Sequence, residues 1–82
     1  MKKNIMTKKP TTFVVVFWTK KGEFIKEMAF PMHKFSFEDV CNYLKGKEED
    51  ADIFEGRFSP KRNKYLKVGN TYLWDEDKWV VQ

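Results

Sequence analysis

The chain is short of the side chains that carry out chemistry. Its 82 residues include one histidine, His33, one cysteine, Cys41, and only two serines, Ser36 and Ser59. A single cysteine excludes an internal disulfide, and Cys41 with His33 falls short of the four ligands of a structural zinc site. His33 lies between Met32 and Lys34, with no Ser, Cys or Asp beside it in a nucleophile or general-base arrangement. The glycines at 22, 46, 56 and 69 are isolated, so no phosphate-cradling loop is present. The acidic run Glu48, Glu49, Asp50, Asp52, Glu55 lacks the Asp/Asn ladder and internal glycine of an EF-hand loop, and reads as a solvated connector or an acidic docking surface. No apolar run approaches the ~20 residues of a membrane span, and the N-terminal residues lack the apolar stretch of a secretory signal. These absences argue against an enzyme, a metal or cofactor and a membrane partner, and the expected location is the cytoplasm.

What the chain has in quantity is aromatic surface and lysine. Fourteen residues are Phe, Tyr or Trp, the side chains that anchor interfaces because they bring large area with few rotatable bonds. The net charge of +4 belongs to Lys2, Lys3, Lys8 and Lys9; from residue 11 onward 12 basic residues face 12 acidic ones. Residues 1–10 are polar, without periodicity, and end at Pro10, so the sequence predicts a disordered basic tail followed by a single domain over 11–82.

Thr12 to Thr19 is β-branched and aromatic throughout and apolar on both faces, the pattern of a central strand. Lys20-Lys21-Gly22 is a turn into a second strand, Glu23 to Phe30, with Phe24, Met28 and Phe30 expected toward the core and Lys26 as the exception. Ser36 is a natural helix N-cap with Asp39 three residues on, and Phe35 and Val40 hold the hydrophobic-staple positions. Phe37, Val40, Cys41 and Leu44 repeat at i, i+3, i+4 and i+7, one stripe for packing on a sheet, and Gly46 is placed to end the helix. A third strand is expected at Ile53–Phe58, a loop at 59–63 and a fourth strand at Lys64–Val68. Gly69-Asn70 is a hairpin signal into Thr71–Trp74. Asp75 to Lys78 would turn the chain into a short final strand, with Trp74 across from Trp79 and Tyr72 across from Val81. The expected fold is α+β: a small antiparallel sheet of five or six strands, in the order β-β-α-β-β-β, with one α-helix on one face.

Two residue sets stand out as binding surfaces. Trp18, Tyr72, Trp74 and Trp79 are candidates for protein binding, because one helix covers only one face of a sheet whose strands carry apolar residues on both. The simpler reading of the same four is that they complete a small core. Arg57, Lys61, Arg62, Lys64 and Lys67 place five cations and no carboxylate within eleven residues, with Tyr65 beside Lys67, a pattern suited to gripping phosphates and stacking a base.

In size and composition the chain is similar to the small accessory proteins of bacteriophages and mobile elements, a resemblance that transfers no residues. It implies a non-enzymatic binding module that inhibits or modulates a host protein by occluding its surface, acting in the host cytoplasm. The alternative is a protein that binds RNA or single-stranded DNA through the basic 57–67 hairpin. A homodimer through the apolar sheet face is a further expectation.

Overall fold

The computed structural model describes residues 9–82. Most of the expected basic tail therefore lies outside the described residues. The five strands are β1 (Thr12–Trp18), β2 (Phe24–Pro31), β3 (Ala51–Ser59), β4 (Lys64–Asp75) and β5 (Lys78–Val81), and helix α1 (Phe37–Tyr43) falls between β2 and β3. All neighbours are antiparallel and the spatial order is β2-β1-β3-β4-β5, so the most apolar strand sits inside the sheet, flanked by β2 and β3. The expected α+β architecture and element order are what the chain forms.

α1 begins where its capping residues dictate. The Ser36 hydroxyl accepts from the Asp39 amide at 3.1 Å, and the Asp39 carboxylate accepts from the Ser36 amide at 2.9 Å, closing a reciprocal capping box. The helix runs seven residues to Tyr43 with Leu44 as C-cap, so Gly46, at φ +86°, lies one position further out than expected. Val40 and Leu44 are fully buried against Phe13, Val15 and Phe17 of β1, Phe30 of β2, and Ala51 and Ile53 of β3. Removing such side chains from water, at roughly 1.5–3 kcal/mol each, is the main favourable term for a domain of this size.

Three expectations are corrected. Gly69-Asn70 does not turn the chain: residues 64–75 form one continuous strand, giving five strands in all. A two-residue type I′ hairpin needs φ > 0 at both positions, and neither residue has it. The pairing Gly56↔Lys67 is followed by Phe54↔Thr71, so Val68, Gly69 and Asn70 bulge opposite Glu55 alone. The final turn does use that geometry, at Glu76 (φ 49°) and Asp77 (φ 64°), while Asp75 and Lys78 pair within the strands. Lastly, Phe24 does not face the core. Trp18 pairs with Phe24 while Phe17 pairs with Lys26, so Ile25 is an extra residue and its bulge carries Phe24 to the opposite face.

Candidate functional site

Cross-strand partners share a face, and side chains alternate along each strand, so the register sorts the candidate residues. The helix-bearing face receives Phe13, Val15 and Phe17, then Ile53, Tyr72 and Trp74 with their partners Val81 and Trp79. The helix-free face receives Val14, Val16 and Trp18, with Ala29, Phe54, Thr71, Leu73 and Val80 from the other strands.

The four candidate protein-binding aromatics are consequently not one patch. Tyr72 lies beneath α1, its ring 4.4 Å from that of Phe37, and its hydroxyl donates to Glu55 Oε2 at 2.6 Å. Burial, followed by this hydrogen bond to a carboxylate, pushes the Tyr72 phenol pKa upward. Trp74 and Trp79 meet edge to face at 5.2 Å as a direct cross-strand pair, and Trp79 packs against the core cluster. Trp18 stands on the opposite face, where its indole N–H donates to Asp52 Oδ2 at 3.0 Å and its ring meets Phe24 edge to face at 6.2 Å. Phe24 is 58% exposed and Ile25 53%. A shallow cleft opens at that corner between Trp18, Ile25 and Tyr43, with Lys20, Lys26 and Lys47 at its margin.

The six candidate nucleic-acid residues lie on one hairpin but not on one face: Tyr65 and Lys67 share a face, Arg57 and Lys64 lie on the other, and Lys61 and Arg62 are in the loop at its tip. β1 pairs with β3 only as far as Gly56, opposite Thr12, so residues 57–59 and 64–66 continue as a two-stranded arm without a β1 neighbour. The arm's base is fastened by the chain that leads into β1: the Thr11 amide donates to the Gly56 carbonyl at 2.9 Å, and Arg57 donates to the Lys9 carbonyl at 2.7 Å. At the tip, Asn63 takes φ 55° and the Ser59 hydroxyl accepts from the Arg62 amide at 3.3 Å, closing a four-residue loop that holds Lys61 and Arg62 in solvent. Lys64 and Lys67 are also exposed. Tyr65 and Lys67 share the helix-free face with Phe58, which is 46% exposed and meets Tyr65 edge to face at 5.2 Å.

Charge changes sign along β3. Glu48–Asp50 form a single 3-10 turn at its start, and Asp52 follows; Asp75, Glu76 and Asp77 lie at the same end of the sheet, with Asp77 lining a surface hollow together with Glu48, Glu49 and Asp50. Lys20, Lys47 and Lys78 are interspersed there, whereas residues 57–67 at the other end hold no carboxylate. The approach of the 75–77 turn to the 48–52 run was not readable from sequence spacing, because it depends on β4 continuing through Gly69.

Among the described residues no group of three or more His, Cys, Asp or Glu side chains is arranged to hold a metal ion. Cys41 is partly buried in the helix, and its thiol pKa is raised by burial and then by the nearby Glu38 and Glu48 carboxylates, the reverse of an activated nucleophile. No helix among the described residues is long and apolar enough to cross a membrane. No family model matches the chain, and neither a curated protein nor a solved structure matches it significantly.

Proposed function

We propose that this chain is a non-enzymatic binding module for nucleic acid, gripping phosphates with Arg57, Lys61, Arg62, Lys64 and Lys67. The observation that carries the reading is the arm: five cations with no carboxylate among them, on a ribbon that leaves the sheet and presents Phe58 and Tyr65 beside Lys67. Each neutralised phosphate releases counterions, so affinity falls with salt at a log-log slope of about −0.7 per phosphate for single strands. Titration of labelled RNA and DNA at ~50 and ~200 mM salt tests this. Binding with a slope worth several phosphates, retained when residues 1–8 are removed and lost in Arg62→Glu/Lys64→Glu, supports the arm as the site. Unchanged affinity in that folded double mutant removes it.

A second reading is occlusion of a host protein's surface, as for the phage-type accessory proteins that the chain is similar to in size and composition. Phe24 and Ile25, beside the half-buried Trp18, favour it, because apolar side chains left more than half in solvent, as these two are, are what a partner would bury. Under this reading Trp18→Ala and Ile25→Asp lose capture of the host partner while the thermal transition is retained. Loss of the fold in both variants would make these residues structural instead. Dimerisation through the helix-free face would register as a concentration-dependent mass in sedimentation.

A further inference from the structure

The arm's helix-free face carries a second pattern beyond its charge. Phe54, Gly56 and Phe58 alternate along β3 onto that face, and Tyr65 and Lys67 of β4 stand opposite Phe58 and Gly56. Gly56 has no room for a side chain: a Cβ there would lie 2.6 Å from the Leu66 carbonyl oxygen and 2.9 Å from the Phe54 ring. The Phe54 ring thus lies over Gly56, extending the aromatic surface toward Phe58. Tyr65 packs edge to face on Phe58, and no other aromatic ring among the described residues packs on Phe58. The result is a row of rings on the uncovered side of an antiparallel sheet, with the exposed Lys67 beside them and the tip residues Lys61 and Arg62 beyond; Lys64, paired with Ser59, faces the other side of the arm.

Rings and charges arranged in this way favour one form of nucleic acid. In a duplex the base faces are hidden within the stack, so a row of exposed rings adds nothing to phosphate contact. A single strand offers free base faces as well as phosphates. We infer that the ligand of this face is a single strand, with one base stacked on Phe58, buttressed by Tyr65, and its backbone held by Lys67 and, at the arm's tip, by Lys61 and Arg62. This rests on the nucleic-acid reading above and adds the stacking residue, Phe58, and the discrimination against duplex.

The test is fluorescence anisotropy with labelled oligouridylate and oligothymidylate of about 12 nucleotides, and a mixed-sequence duplex of the same length, against the full chain and its Phe58→Leu, Phe58→Trp and Arg62→Glu/Lys64→Glu variants. The expected result is tighter binding of a single strand than of the duplex. Phe58→Leu should lose roughly 5- to 150-fold on the single strand, the loss of one stacked base, with the duplex unaffected. Phe58→Trp should retain affinity, and its added indole emission should be quenched on binding, a readout independent of any stability change in the leucine variant. Equal affinity for single strand and duplex, insensitive to Phe58 but abolished by the arm charge reversal, would overturn stacking and leave the arm as a phosphate-binding site. Absence of binding to all three probes would overturn both readings.

Discussion

Glu55 and Tyr72 are joined across β3 and β4 by a 2.6 Å hydrogen bond from the tyrosine hydroxyl, and the second carboxylate oxygen of Glu55 accepts from the Asn70 amide at 3.0 Å. One side chain therefore holds both the ring beneath the helix and the bulge that keeps β4 continuous. Replacing Glu55 with Ala leaves a part-buried hydroxyl and the bulge amide without this partner and should cost about 1–3 kcal/mol. Tyr72→Phe should cost about 0.5–1.5 kcal/mol, and the double mutant less than the sum, as read from urea midpoints.

The same pair sets an alkaline limit. Burial and the Glu55 hydrogen bond raise the Tyr72 pKa in the folded chain, so folding favours the protonated phenol. That contribution is intact below the ordinary tyrosine value of about 10 and is lost as pH rises through the higher folded-state value. Phenolate absorbance should show a late-ionising tyrosine that disappears in Tyr72→Phe, and stability should fall across that range in the wild type.

Two glycines should resist substitution for different reasons. In Gly56→Ala the new methyl meets the Leu66 backbone carbonyl, which cannot rotate away, so the junction of arm and sheet must splay; we expect a loss of about 1–3 kcal/mol, typical of overpacking. In Gly69→Ala the obstacle is the Glu55 side chain, so Glu55→Ala should relieve part of the penalty. Thermal melts of the single and double variants test the contrast.

Cys41 should be a slow thiol. Burial and the Glu38 and Glu48 charges disfavour its thiolate, so alkylation by iodoacetamide in the folded chain should be slower than in urea and should speed up in Glu38→Gln.

Capping also has a measurable share. Ser36→Ala removes the acceptor for the Asp39 amide and should cost about 1 kcal/mol in thermal or urea unfolding, while Ser36→Asp retains most of the stability.

Where the deciding contacts are local, the residues were legible in advance. Ser36 and Asp39 announce α1 because both halves of the capping box lie within four residues, and Trp74 faces Trp79 because a short turn fixes the register between them. Gly69-Asn70 misleads because a turn and a bulge ask for the same residue types; the choice is made by Glu55, more than ten residues away in sequence. Phe24 misleads through parity, since one extra residue at Ile25 exchanges the faces of everything before it. The aromatic set containing Trp18 fails to assemble because facing depends on strand pairing rather than composition. The basic set stays within one arm because its residues occupy a single hairpin, though strand alternation divides them between its two faces.

The reversal of charge along β3 gives the molecule a permanent electric moment lying along that strand, with its positive pole at the arm. Over a strand of nine residues, about 30 Å, that separation exceeds the Debye length of roughly 8 Å at physiological salt, so a polyanion nearing the arm does not sense the acidic end. Within that range the arm would present an approaching polyanion with positive charge alone. The far end would offer the same polyanion mainly carboxylates, so the two poles of the molecule would differ in what they admit at close range.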